Sequence, residues 1–288
     1  MADSAADEQP TCAGTRRPDS GPMTDWLAYD PIAKRYDEVW GPRFEAVAEL
    51  VWRRVAPAPG AVVLDVGTGT GIVPHVLARR PDSVAVLIGC DRSRDMLQVA
   101  RSRTASLDVV AADAVALPFR DSAFDVVTAS FVMSHVADYR AALVEARRVL
   151  RPGGALAITS WAAGEDEPSR VWSRLLAGMV PADELEAAFA RLAPSMSVFD
   201  SAAGVESALT EAGFVAVSVG AHAIESRLSA DQFIADRELT SGSRYARHLL
   251  DPSEWELLRR RAHDELDERF GARFTFSRGA LVGVGRKG

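Results

Sequence analysis

Cysteine is nearly absent from this sequence. Cys12 and Cys90 are the only two in 288 residues, one in the amino-terminal tail and one in an apolar run, so neither a disulfide framework nor a metal cluster can be built from them. Cys90 reads most simply as a small buried hydrophobe. Long apolar runs are missing too. None approaches the ~20 residues that cross a bilayer, and the acidic start Met1-Ala2-Asp3-Ser4 has neither the basic region nor the apolar stretch of a signal peptide. The expectation is a cytoplasmic protein that does not span a membrane. Concentrated positive charge is the third absence. With 33 basic against 40 acidic residues the net charge is −7, and the short clusters Arg147-Arg148 and Arg259-Arg260-Arg261 fall in helical patterns as solvated faces. Nucleic acid, whose phosphates call for clustered Lys and Arg, is therefore not expected as a partner.

What is present describes a globular chain. Hydrophobic residues make up 48% and charged residues 25%, ordinary values for a folded protein, and the length suffices for one large α/β domain with a lid. Residues 1–22 are rich in Ala, Asp, Pro, Gly and Ser without apolar periodicity and are expected to be a disordered tail. Residues 23–57 read as entry helices and 58–288 as the core, with a helical insertion over about 163–196.

The chain is organised around Val62-Val63-Leu64-Asp65-Val66-Gly67-Thr68-Gly69-Thr70-Gly71-Ile72-Val73. Ala61 to Val66 is apolar or β-branched, as in a strand covered on both faces of a parallel sheet. The three glycines let the backbone turn tightly, reach positive φ and approach a ligand closely. A helix expected near Ile72 to Arg80 would then offer unpaired N–H groups to a carboxylate or phosphate. Spacing narrows the ligand. A dinucleotide fingerprint needs G-x-G-x-x-G, but its third glycine would fall on Ile72 counted from Gly67, or on Pro74 counted from Gly69.

What stands instead, D-x-G-x-G-x-G, resembles motif I of the class I S-adenosylmethionine-dependent methyltransferases. Three further segments carry the resemblance. The apolar run Val84 to Cys90 ends in Asp91, 20 residues past Gly71, where an acid can accept from both ribose hydroxyls. Ala111-Ala112-Asp113-Ala114-Val115-Ala116-Leu117-Pro118-Phe119 resembles the family's "D-A-x-x-L-P-F" segment, which implies Asp113 at the adenine amino group. Phe124-Asp125-Val126-Val127 through His135-Val136 to Leu150-Arg151-Pro152-Gly153-Gly154 resembles the family's "F-D-V-V … L-R-P-G-G" order. The implied cofactor is S-adenosylmethionine, and the implied cofactor-binding set is Asp65, Gly67, Thr68, Gly69, Gly71, Asp91, Arg92, Asp113, Ala114 and Ser130. The implied fold is a doubly wound, mostly parallel seven-stranded sheet, Rossmann-like, with an inserted helical lid.

Tyr29-Asp30-Pro31-Ile32-Ala33-Lys34-Arg35-Tyr36-Asp37 resembles the entry helix of small-molecule methyltransferases akin to the ubiquinone and menaquinone enzymes. Tyr29 and Tyr36 are thereby candidates to meet the methionine end or the acceptor, or simply to pack a lid. Short βα units follow. After Trp161 the alternation breaks into two helical patterns over Glu165 to Pro194, read as a lid between strands five and six. Ser229 and Asp251 each open a helix, the second with Pro252 and Glu254 as further start signals. A last strand of partly alternating pattern is expected from Arg273 to Val284, and the family resemblance implies that it is inserted antiparallel beside strand six.

Methyl transfer needs alignment above all, and a general base only when the acceptor must lose a proton. His135 aligns with the second His of the family's "L-H-H-V" segment, with Ser134 in place of the first. It is the candidate for proton transfer, beside a bland reading as a structural ring. Ser130-Phe131-Val132-Met133 replaces the N-P-P-Y-like segment of nucleobase methylation, and no set of Asp and Asn ligands matches the metal-dependent catechol type. Trp26, Trp40, Trp161 and Trp172 hint at an apolar or aromatic acceptor, or at ordinary packing. The reading is metal-independent C- or O-methylation of a small, largely apolar metabolite. Two alternatives stay open: cyclisation or rearrangement with the cofactor in a structural role, and a non-catalytic cofactor-binding subunit. A homo-oligomer is compatible with the sequence.

Overall fold

The computed structural model describes residues 28–80 and 84–288. The tail of residues 1–22, with Cys12, and also Trp26 lie outside the described residues. The described chain opens into α1 (Ala33–Val55), whose Trp40, Phe44, Val47, Val51, Trp52 and Val55 recur at helical spacing and are all buried. The sequence suggests an entry helix near Tyr36 and a separate helix from Phe44; the structure joins them straight through Pro42. A proline inside a helix costs about 3 kcal/mol. Burying that apolar face, at roughly 1.5–3 kcal/mol per large side chain, outweighs it. The helix stops where Ala56 turns left-handed at φ 42° and returns its N–H to the Trp52 carbonyl.

Five strands and three helices follow: β1 (Ala61–Val66), α2 (Ile72–Ala78), β2 (Val84–Asp91), α3 (Arg94–Arg103), β3 (Asp108–Ala111), β4 (Phe124–Ser130), α4 (Tyr139–Val149) and β5 (Leu150–Trp161). The expected regular alternation fails once, because β3 reaches β4 without a helix, through a turn in which Asp113 bridges Ala116 ahead of Pro118. Next come α5 (Glu167–Ala177), α6 (Ala182–Leu192), α7 (Met196–Phe199) and α8 (Ala202–Glu211), then β6 (Phe214–Leu228). Three more helices, α9 (Ala230–Arg237), α10 (Ser241–Leu249) and α11 (Pro252–Phe270), precede β7 (Phe274–Lys287). The strands pair in the order β3-β2-β1-β4-β5-β7-β6. The first five are parallel, and β7 runs antiparallel between β5 and β6.

Asp125 shows why the segment around β4 is built as it is. Its Oδ2 accepts from the Val62 N–H at 2.8 Å and its Oδ1 from Arg151 Nη1 at 2.5 Å, tying β4 to the start of β1 and to β5. One face of the sheet packs on α4 and α8 through Leu143, Ala146, Val205 and Leu209. The other packs on α1, α2 and α3 through Val51, Val55, Val76, Leu77 and Ala100. A third core is separate from both. Val171, Trp172, Leu176, Phe233, Ala246, Trp255 and Leu258 bring α5, α9, α10 and α11 together beside the β7 residues Phe274 and Phe276. The helical cover is thus built from two insertions, one after β5 and one after β6. Among the described residues no helix is long and apolar enough to cross a membrane.

Candidate functional site

The ends of β1, β2 and β4 meet at the glycine loop. Gly67, Gly69 and Gly71 all have positive φ, at 65°, 53° and 76°, a region costly for residues with a Cβ. A Cβ on Gly67 would meet Val132 Cγ2 at 2.4 Å and one on Gly71 would meet Ala100 Cβ at 2.8 Å, whereas nothing lies within 4 Å of one on Gly69. The outer glycines are therefore demanded by packing as well as by φ, while the middle one borders open space. The Gly69 N–H donates to Asp91 Oδ2 at 2.8 Å and the Ser93 N–H to Oδ1 at 2.9 Å. Asp91 thus ties the tip of β2 to the loop after β1. The hollow is floored by Asp65, Thr70, Ile72, Val73 and Ser130. Asp65 is 1% exposed and accepts from Thr128 Oγ1 at 2.6 Å, and burial pushes its carboxyl up to about 7. The Thr70 and Ser130 hydroxyls are buried and have no hydrogen-bond partner among the described residues.

An aromatic wall rises beside the loop. Phe131, just past β4, holds φ 56°, unusual for a bulky residue and a cost of order 1–3 kcal/mol. Its N–H is fixed on the Thr159 carbonyl at 3.0 Å and the Thr159 hydroxyl at 3.1 Å. This turn sets its ring on Trp161, with centroids 4.2 Å apart, and against Phe44 at 4.9 Å. Tyr36 stacks on Trp40 at 5.4 Å and meets Tyr29 edge-on at 5.9 Å, and Tyr29 in turn meets the His135 ring at 6.3 Å. The three catalytic candidates are therefore neighbours. Tyr29 and Tyr36 are half-buried, and His135, although partly open to solvent, is packed against the Tyr29 ring and bonded to Leu192. Burial raises both tyrosines, Tyr36 well above the usual phenol range, so both stay protonated donors at neutral pH. His135 Nδ1 lies 2.8 Å from the Leu192 carbonyl. A carbonyl only accepts, so Nδ1 carries the proton and Nε2 of the neutral ring keeps its lone pair. Burial lowers the His135 pKa, and Arg244 nearby lowers it further against the Leu192 bond.

A larger hollow of about 360 Å³ lies between α1 and α11, lined by Arg35, Glu238, Arg247, Trp255 and Arg259. Its arginines converge on Glu238 and no glycine-loop residue reaches it, so the smaller cleft is the candidate site.

Comparison with known proteins bears on what that cleft holds. The profile described as a methyltransferase domain matches residues 64–158. A demethylmenaquinone methyltransferase of Renibacterium salmoninarum is 34% identical over 166 residues, 53% of this chain and 68% of that protein. The chain belongs to the class I S-adenosylmethionine-dependent methyltransferases. Its cofactor is S-adenosylmethionine. A demethylmenaquinone methyltransferase of Staphylococcus aureus is 37% identical over 134 residues, 44% of this chain and 55% of that protein, so the match spans between about half and two thirds of these relatives. A phosphoethanolamine N-methyltransferase of Haemonchus contortus, solved with S-adenosylhomocysteine, superposes with TM-score 0.58 at 16% identity, over 93% of this chain and 61% of that one. A (4+2)-cyclase superposes with TM-score 0.55 at 21% identity, over 90% and 94%. At such identities these two likenesses are likenesses of fold.

The methyltransferase loop fits its cofactor on two structural grounds: the open space beside Gly69 and the unpartnered hydroxyls of Thr70 and Ser130. Asp113 is half-buried, accepts from the Val115 N–H at 3.2 Å and lies 3.7 Å from Arg92 Nε. Arg92 itself is 80% exposed and faces solvent. The Ala114 methyl packs in the core, so only its backbone can serve the site. Trp40 and Trp161 stand in the aromatic wall. Trp172 does not; it lies in the cover, donating to Ser243 Oγ at 2.9 Å. His222 sits on β6 beside Arg53 and Arg54. Two residues of the cleft have no part in the sequence reading: Arg244, whose guanidinium lies 4.9 Å over the Tyr29 ring, and Arg278, 4.2 Å over Trp161. A lone arginine in a helix or strand gives no signal by itself.

Proposed function

We propose that this methyltransferase methylates carbon or oxygen of a small, largely apolar acceptor without a metal ion, with His135 as the proton acceptor. S-adenosylmethionine supplies the electrophilic methyl group. Gly67, Thr68, Gly69 and Gly71 with Asp65, Asp91, Asp113 and Ser130 would hold it. The carrying observation is the geometry of His135: its Nδ1–H is engaged by the Leu192 carbonyl at 2.8 Å, which leaves the Nε2 lone pair of a ring beside Tyr29 to act as the base. Tyr29 and Tyr36, held protonated, can donate hydrogen bonds to an acceptor oxygen. Phe44, Phe131 and Trp161 supply a flat apolar wall. Positioning of this kind is worth roughly 7–11 kcal/mol of a barrier, and α6, which carries Leu192, helps to exclude water.

Mass spectrometry of a metabolite library incubated with methyl-labelled cofactor tests the reaction: a labelled methyl gain supports transfer, and a rearranged product of unchanged mass supports the cyclase alternative. His135→Ala should lower kcat by about 10²–10⁴ while leaving S-adenosylhomocysteine affinity in place. Turnover at the wild-type level in that variant would remove the base from His135. Among the described residues no three His, Cys, Asp or Glu side chains come together to hold a metal, and activity should survive EDTA.

A further inference from the structure

Two guanidinium groups border the aromatic wall, and among the described residues neither forms an ion pair with a carboxylate. Arg244 on α10 is 9% exposed. Its Nη2 donates to the Ala28 carbonyl, and its Nη1 is buried with no hydrogen-bond partner among the described residues. Arg278 on β7 is half-buried against Trp161, and none of the ion pairs in the described structure includes it. Asp236 and Glu165 are the acids nearest in effect, while Arg43 and Arg237 oppose them, and Asp236 is already shared by those two arginines. Both Arg244 and Arg278 act on Tyr36, and Arg244 acts also on Tyr29 and His135. With Arg244 4.9 Å over the Tyr29 ring and Arg278 4.2 Å over Trp161, both border the aromatic wall beside the catalytic candidates.

Burying a cation without a partner is costly. The bond to Ala28 and the ring contacts do not compensate the charges, and the two elements are anchored without them: α10 by Ala246 and the Trp172–Ser243 bond, and the β6–β7 ladder by backbone pairs such as Ile224 with Arg278. An arginine set against an aromatic face, with N–H groups left over, matches a planar acid. Burial lowers both guanidinium groups, Arg278 to about 9, so Arg278 remains charged at neutral pH.

We propose that the methyl acceptor is an aromatic acid, whose ring lies against the Phe131–Trp161 wall and whose carboxylate is taken by Arg278 and Arg244. This deepens the methyltransferase reading and rests on it. Burial is the main cause of the low His135 pKa and the Arg244 charge adds to it; a bound carboxylate offsets that second effect, which makes Nε2 a better base when substrate is present.

The test uses the full chain saturated with S-adenosylhomocysteine and titrated calorimetrically with 1-hydroxy-2-naphthoate and with its uncharged isostere, 1-hydroxy-2-naphthamide. The acid should bind at least about ten-fold more tightly than the amide, and the preference should fall to about two-fold or less in Arg278→Gln and return in part in Arg278→Lys. Arg244→Gln should behave likewise; because Arg244 also holds Ala28, Arg278→Gln decides if that variant does not fold. Equal binding of acid and amide, binding of neither, or an acid preference that survives both substitutions would overturn the proposal. A loss of S-adenosylhomocysteine affinity in folded Arg278→Gln would overturn it as well, because the arginine would then serve the carboxylate of the cofactor. Failure of the wild-type chain to bind S-adenosylhomocysteine at all would instead remove the underlying methyltransferase reading.

Discussion

At the scale of single residues the cleft combines groups whose ordinary chemistry the fold has altered. Asp91 is an example of double use. The sequence marks it for the ribose hydroxyls, and the structure adds that both its oxygens already hold loop amides, Gly69 and Ser93. Asp91→Ala should therefore weaken S-adenosylhomocysteine binding by more than the roughly 1.5–3 kcal/mol of one charged hydrogen bond, since loop geometry goes with it. Asp91→Asn, which keeps one acceptor, should lose less; equal affinity of wild type and Asp91→Ala by calorimetry would strip the residue of both roles. Asp65 makes a second case. Its folded pKa is raised from 3.8 to about 7, so the native state binds a proton that the unfolded chain has released. The stability it contributes is complete below about 4, declines as the pH rises towards 7 and is gone above that. Asp65→Asn should flatten the pH dependence of the urea midpoint over that window. A parallel pair of curves would show that Asp65 does not titrate there.

Elements show what local sequence can and cannot disclose. The glycine loop, β1, β2 and the capped helix starts at Ser229 and Asp251 were legible because each is written within a few residues, and both caps form complete capping boxes. The role of α9 to α11 as cover was not legible, since it depends on contacts between distant segments: Trp172 with Trp255 and Ser243, and the second insertion with the first. Helix α10 was missed for a related reason. Ser241, Gly242 and Ser243 fill its first turn with weak helix formers, Thr240 makes no side-chain cap bond there, and the helix is held by packing of Ala246. The cleft wall draws on residues from Tyr29 to Arg278, so its chemistry emerges only on folding. One bond between elements can be tested directly. Asp236, 0% exposed, joins Arg43 of α1 to Arg237 of α9. Asp236→Ala leaves two guanidinium groups uncompensated and should cost about 3–5 kcal/mol in urea unfolding. A loss below about 1 kcal/mol would place the pair with exposed ion pairs of little consequence.

The whole molecule divides into a sheet with two packed faces and a helical cover with its own core, and this division carries a dynamic consequence. The sheet is stabilised on both sides, and Leu64, Val127, Leu156 and Val282 are fully buried. The cover is tied to the rest of the fold by Asp166, which accepts from the Ser277 N–H at 2.8 Å, by Leu192 on His135, by the α1 ion pairs to Asp236 and Glu238, by Ser195, which bonds Ser134 and Val136, and by Phe274 and Phe276 of β7, which pack into its core. An acceptor enclosed by the Tyr29–His135 cleft must enter past the cover, so the cover has to open more cheaply than the sheet unfolds. Native-state hydrogen exchange should therefore find the amides of α5, α6 and α10 opening at lower free energy than those of β1, β4 and β5. Saturating S-adenosylhomocysteine should slow exchange in the glycine loop and in α1 near Tyr36, which closes on it. Cover amides that exchange only by global unfolding would mean that the cleft is entered by another route, and the assignment of α6 to water exclusion would then fall with it.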